Sequence, residues 1–205
     1  MSLDNIEGPD TLRQHYAPPL ERAVLKSLRK LDQHCRLFIE LSPFLCIGTQ
    51  SDGSADVAPR GDKPGFVHIL DDKTLAIPDW PGNNRLDSLT NILSNPHVGL
   101  LFLVPGVDET LRVNGTAVIA ANPELLARWD VNGKHPKSVL LVTVTEAFLH
   151  CGKALIRSKL WQDDYKVERT SLPSYGKMLK DQIEVCDTAE EIERSVADAY
   201  KTRLY

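Results

Sequence analysis

At Phe44 the apolar period of the chain changes, and that change limits the folds open to it. Before it, Leu20, Val24, Leu28 and Leu31 recur at helical spacing after Pro18-Pro19, which predicts a helix ending near Gln33. A second helical stretch, residues 35–41, stops at Ser42-Pro43, because the residue before a proline is pushed out of helix. From Phe44 onward, short apolar runs alternate with turn residues. Residues 44–49 read as a strand, Ser51-Asp52-Gly53 as a turn, and residues 55–60 as a strand pairing back, ending or bulging near Pro59. After a loop at 61–65, residues 66–70 and 74–78 read as strands around the turn Asp71-Asp72-Lys73. Four strands with short turns make an antiparallel meander, as in a barrel or sandwich.

The pattern continues downstream. Residues 84–93 carry Leu86, Leu89, Ile92 and Leu93 on one side of a helix, with Asn83 as cap and Asn95-Pro96 as stop. Residues 97–104 are almost entirely apolar, which predicts a strand buried on both faces. Pro105-Gly106 turns the chain into a long strand, 110–121, where Asn114-Gly115 marks a bulge or bend. Asn122-Pro123 opens a short helix, residues 137–150 form a long β-rich run, and residues 152–161 form a cationic segment with an aromatic end. The tail, about 172–205, reads as helical: Thr188 and Glu191 make a capping box, and Ile192, Val196 and Tyr200 an apolar stripe. That stripe suits packing on the chain's own barrel or a subunit interface. Residues 1–17 are polar and mixed, which predicts a loosely held arm.

A chain of 205 residues fits one domain spanning 1–205, with a barrel at about 35–161 and a C-terminal helical extension. The net charge of −4, with scattered Lys and Arg, argues against a nucleic-acid surface. No apolar run approaches the roughly 20 residues of a membrane span, and Asp4, Glu7 and Asp10 with no apolar h-region argue against a signal peptide. Four dispersed cysteines without a CxxC predict free thiols and a cytoplasmic protein. The six histidines do not cluster at metal-ligand spacing, so no metal site is expected.

The chain lacks the GxGxxG, GxxxxGK[ST] and GxSxG motifs. What remains are three polar clusters: Ala58-Pro59-Arg60-Gly61-Asp62-Lys63, the stretch from Asp79 to Arg85, and the segment from Lys153 to Trp161. Ile77-Pro78-Asp79-Trp80-Pro81-Gly82-Asn83-Asn84-Arg85-Leu86 reads as a strand end, a turn and a helix start, which would set Asn84 and Arg85 in the first helical turn, where unpaired N–H groups favour an anion. Arg60, Arg85, Arg112 and Arg157 together suit a phosphorylated aromatic ligand, with Trp80 and Trp161 available to stack on it.

These segments, in order, carry a resemblance. Ala58-Pro59-Arg60-Gly61, Phe66-Val67, Leu75-Ala76-Ile77-Pro78-Asp79, Asn83-Asn84-Arg85, Asn95-Pro96-His97-Val98-Gly99-Leu100-Leu101-Phe102 and Thr110-Leu111-Arg112-Val113-Asn114-Gly115 resemble the FMN-binding split-barrel proteins of the pyridoxamine 5′-phosphate oxidase class. The run from His150 to Trp161 is similar to the end of a subgroup of FMN-dependent enzymes. The resemblance implies a mainly β fold, a six-stranded antiparallel split barrel with N-terminal and C-terminal helices, which forms a homodimer with FMN at the interface. It implies an oxidoreductase in which a hydride passes between a small substrate and flavin N5. Val57, Ala58, Pro59 and Arg60 match the strand along the ring and ribityl chain, and Pro78 and Asp79 the next strand end. Asn84 and Arg85 match the pair that holds the phosphate, with Asn84 in place of a basic residue and Arg60 and Lys63 compensating. Arg112 and the run Arg157, Ser158, Lys159 and Trp161 would come from the second subunit. No catalytic acid or base is singled out. The oxidases of this class carry an Arg-x-His element near the C-terminus that binds vitamin B6 phosphates; the C-terminal region here has none, so a different substrate is expected. The alternatives are a flavin carrier or sensor without turnover, or a split barrel holding a deazaflavin or a haem, the latter with His150 or Cys151 as axial ligand.

Overall fold

Three short helices precede the sheet in the computed structural model, which describes residues 5–51 and 53–205. Residues 1–4 of the expected arm and Asp52 of the expected turn lie outside the described residues. The arm contains a helix, α1 (Pro9–His15), with none of its residues buried. The helix expected from Leu20 to Gln33 does not form as one piece. It is limited to α2 (Glu21–Leu25), because Leu28 exchanges both main-chain hydrogen bonds with Ala147, each 2.9 Å. Tertiary pairing there overrides the helical spacing, and Leu31 is buried while Leu20 and Val24 stay exposed. The chain then enters α3 (Gln33–Leu41), capped by Asp32, whose carboxylate accepts from His34 N–H and Cys35 N–H; Cys35 and Ile39 turn into the core.

Seven antiparallel strands follow: β1 (Phe44–Ser51), β2 (Ser54–Gly61), β3 (His68–Ile69), β4 (Thr74–Asp79), then helix α4 (Asp87–Ser94), β5 (His97–Leu103), β6 (Thr110–Ala120), α5 (Pro123–Leu126) and β7 (Ser138–His150). Their order is β2-β1-β5-β6-β7-β4-β3, one more strand than the six expected, and the added one, β3, is only two residues long. The sheet is mainly β architecture with flanking helices, open between its two end strands, as in a split barrel. Buried and open positions alternate in β1 and β5, so one face of each is packed. This corrects the expectation that β5 is buried on both sides. The inward face carries Leu45, Ile47, Leu75, Ile77, Phe102, Leu111, Val113, Leu140 and Val142, all nearly inaccessible. The expected bulge is present between Asn114 and Gly115. Gly115 is required there: a Cβ would stand 2.1 Å from the Thr143 carbonyl oxygen.

After β7 come α6 (Lys153–Ser158), α7 (Tyr175–Gln182) and α8 (Ala189–Thr202). Both hydrogen bonds of the Thr188/Glu191 capping box are made. The partner of α8 is α7 rather than the sheet, and Gly176 permits the close approach, since a Cβ would lie 2.2 Å from the Ala189 carbonyl oxygen. Beyond α8, Tyr205 returns to the end of the sheet. Its hydroxyl donates to Asp62 Oδ1 (2.6 Å), Lys134 Nζ donates to its main-chain oxygen (2.9 Å), and its ring meets Trp80 edge to face at 5.0 Å. Among the described residues no helix is long and apolar enough to cross a membrane.

Candidate functional site

The two ends of the sheet meet in a seam, and the main cavity lies in it. β2 lines one wall with Asp56, Ala58, Pro59, Arg60 and Gly61; the end of β4 supplies Pro78 and Asp79 on the other, with Phe66 beside them. The turn after β4, from Trp80 to Leu86, forms the rim, and the start of β7 adds Lys137 and Ser138. The volume is about 620 Å³, within the range of small-molecule sites.

Arg60 and Asp79 span the seam. Arg60 Nη2 lies 3.7 Å from Asp79 Oδ1, and both side chains are largely buried, 21% and 18% exposed. Arg60 Nη1 also donates to the Pro59 carbonyl oxygen (2.9 Å), which fixes the guanidinium over its own strand. Burial pushes the Asp79 carboxyl above the usual aspartate range, and the Arg60 charge pulls partly against that shift. On the α4 side, Ser88 Oγ donates to Asp56 Oδ2 (3.2 Å) and Asn91 Nδ2 to Thr49 Oγ1 (3.1 Å), so α4 is pinned to the first hairpin by polar contacts.

The structure departs from the sequence reading at the phosphate end. Asn84 and Arg85 are not in the first turn of a helix. α4 begins at Asp87, with Leu86 as its cap in the left-handed region (φ 60°), and Asn84 is left-handed too (φ 59°). Asn83 does not cap the helix; its side chain accepts from Arg85 N–H (3.1 Å). Arg85 folds back onto Asp87, Nε to Oδ2 2.8 Å, and stays 73% exposed. That hydrogen bond raises the already high affinity of Arg85 for its proton. The turn therefore offers the cavity polar backbone and one paired cation rather than a helix dipole.

Of the sequence candidates, the cavity gathers Ala58, Pro59, Arg60, Pro78, Asp79, Asn84 and Arg85. Val57 points away from it, 70% exposed on the outer face of β2. Lys63 is not among the lining residues. Arg112 lies outside the cavity, its guanidinium 5.0 Å from the centre of the Phe148 ring. Arg157 and Ser158 close α6, Lys159 pairs with Asp164 (2.5 Å), and Trp161 Nε1 donates to the Val107 carbonyl oxygen (2.9 Å). Within one chain these residues are not brought to the cavity. Trp80 lines the rim while packing beside Trp129, Ala76 and Val139, and its Nε1 is buried with no hydrogen-bond acceptor among the described residues. His150 and Cys151 lie at the end of β7, outside the cavity, and Lys26 and Arg112 help burial lower the His150 pKa. The one Arg-x-His run of the chain is Arg13-Gln14-His15, in α1.

Sequence reasoning missed Asp56, Ser88, Lys137 and Ser138. The last two reach the cavity through long-range pairing, Asp79 opposite Ser138, for which no local signal exists. Among the described residues no group of three or more His, Cys, Asp or Glu could hold a metal ion.

A family model described as pyridoxamine 5′-phosphate oxidase matches residues 31–151. Among solved structures, HupZ of Group A Streptococcus is 18% identical, with 58% of this chain and 93% of that chain covered and a TM-score of 0.48. General stress protein 26 of Bacillus anthracis is also 18% identical, over 56% and 88% of the two chains, with a TM-score of 0.41. An F420 reductase is 20% identical over 57% and 98%, with a TM-score of 0.43. No curated protein matches the chain.

Proposed function

Because the chain belongs to the pyridoxamine 5′-phosphate oxidase family, we propose that it is an FMN-dependent oxidoreductase acting on a small molecule, with the flavin held in the seam between β2 and β4. The observation that carries this reading is the cavity itself. A volume of about 620 Å³ combines a polar strand wall, the flat surfaces of Phe66, Pro59 and Pro78, and three cations, Arg60, Arg85 and Lys137, at its edges. That donor set fits a planar ring at one end and a phosphate at the other.

When bound, the flavin supplies hydride transfer to or from the substrate. The chain's own residues bind and orient. The wall of residues 58–61 would hold the ring, and Arg60, held by Asp79 and the Pro59 carbonyl, would offer it a preorganised positive charge. Asp79, its proton affinity raised by burial, keeps that guanidinium in place. Arg112, Arg157, Ser158, Lys159 and Trp161, which lie off the cavity in one chain, are assigned to a second copy's site in a homodimer. The cytoplasm is the assigned compartment.

The test is an absorbance spectrum of the purified protein, with FMN titration where the preparation is colourless. Bands near 370 and 450 nm (approximate positions for an oxidised flavin) and reduction by a nicotinamide donor with turnover of a screened substrate support the reading. A bound flavin that no donor reduces makes the protein a carrier. Failure to bind FMN ends the assignment. Arg60→Ala is expected to weaken FMN about tenfold or more, as for loss of a charge-assisted contact. Light scattering of the loaded protein checks the dimer.

A further inference from the structure

Three cations edge the cavity, and they are not equivalent. Arg60 is committed to Asp79 across the seam and to the Pro59 carbonyl. Arg85 is committed to Asp87. Lys137 is different: among the described residues no carboxylate lies within salt-bridge distance of its ammonium. Its backbone is nonetheless well held. Buried Pro136 precedes it, buried Ser138 follows it, and its own N–H donates to the Asp79 carbonyl oxygen (3.0 Å). An unpaired ammonium on a fixed backbone at a cavity edge meets an anion without first breaking an internal ion pair, whereas Arg60 and Arg85 must give up or share theirs.

We propose that Lys137 is the principal anion contact of the cavity, taking the phosphate of a phosphorylated ligand, and that Arg85 is not. This rests on the reading of the cavity as a cofactor site and names the group that gives it preference for a phosphorylated ligand. The neighbouring chemistry agrees. Ser138 adjoins Lys137 at the cavity, and of the carboxylates that line it Asp79 and Asp87 are each turned to an arginine while Asp56 accepts from Ser88 Oγ. A dianionic phosphate at Lys137 therefore meets a cation with no carboxylate paired to it among the described residues. A phosphate at Arg85 would sit against the Asp87 carboxylate, which lies 2.8 Å from that guanidinium.

The experiment compares FMN with riboflavin, the same ring without the phosphate, by fluorescence titration of the wild type, Lys137→Met and Arg85→Met. The side chain of Lys137 is exposed, so its substitution leaves the fold intact. The wild type is expected to bind FMN more tightly than riboflavin. Lys137→Met should reduce that preference about tenfold, with riboflavin affinity unchanged, the size of one lost charge-assisted hydrogen bond. Arg85→Met should change it by no more than about twofold, as for an exposed ion pair. Loss of the preference in Arg85→Met but not in Lys137→Met overturns the proposal. Thermal stabilisation by inorganic phosphate is measured on the same three proteins. If the wild type binds neither flavin, a phosphate shift that Lys137→Met abolishes and Arg85→Met retains upholds the anion site while the flavin reading falls. A phosphate shift that is absent, or indifferent to Lys137, overturns the proposal independently of any flavin.

Discussion

Asp79 is a carboxylate placed where water is scarce, and its pH behaviour follows. Its folded pKa lies above the ordinary aspartate value of 3.8 because burial penalises the charged form. The native state therefore holds that proton more tightly than the unfolded chain. The resulting stabilisation is full below the unfolded pKa and is lost as pH rises through the folded pKa. Asp79→Asn removes this loss. Denaturation at a series of pH values from 3.8 upward should show the stability of the variant relative to wild type increasing with pH; a flat difference would mean that Asp79 titrates normally. Cys35 gives a second prediction. Burial pushes its thiol up to about 11, with its contact to the Asp32 carboxylate acting in the same direction. With a thiolate-selective reagent at neutral pH, exposed Cys151 and Cys186 should react first, Cys46 more slowly, and Cys35 only on unfolding. Individual side chains were unevenly legible in the sequence. Arg60 and Asp79 stood out as polar residues at strand ends. Lys137 did not, because its place is set by a strand 58 residues upstream of it, counted from Asp79.

The bulge of β6 was visible as Asn114-Gly115 because only glycine tolerates close backbone approach in a strand. Its necessity shows in the 2.1 Å that would separate a Cβ from the Thr143 carbonyl. Gly115→Ala should cost about 3 kcal/mol, since the β6–β7 ladder must shift to admit it, measured by chemical denaturation. The caps at Asn122 and Thr188 were equally legible, each being a local side-chain-to-backbone contact. The start of α4 was not. A leucine in left-handed conformation at a helix cap is rare enough to leave no pattern, and it moves Arg85 from the helix dipole to an exposed pair with Asp87. The first helix is shorter than its spacing predicts for another reason: Leu28 has the right spacing, but its backbone is taken by Ala147, 119 residues on.

At the scale of the molecule, short apolar runs separated by turn residues specified antiparallel neighbours in β1–β2, whereas the single packed face of β1 and β5 emerged only with the fold. The closing contacts, β4 against β7 and the seam opposite β2, join segments distant in sequence and emerged only with the fold. The candidate site lies in that seam, so half of it was hidden for the same reason. The tail follows a related logic. Helices α7 and α8 pack on each other, while Tyr205 fastens to Asp62, Lys134 and Trp80 beside the cavity. Residues 151–205 are thus a loop anchored at both ends, not a free appendage. Such a loop shares the rotational diffusion of the barrel. Nitrogen-15 relaxation should give the amides of α8 the same overall correlation time as those of β6, and Tyr205→Ala should free them to reorient faster than the sheet. The reach of α8 from the barrel is then set by a single residue, Tyr205.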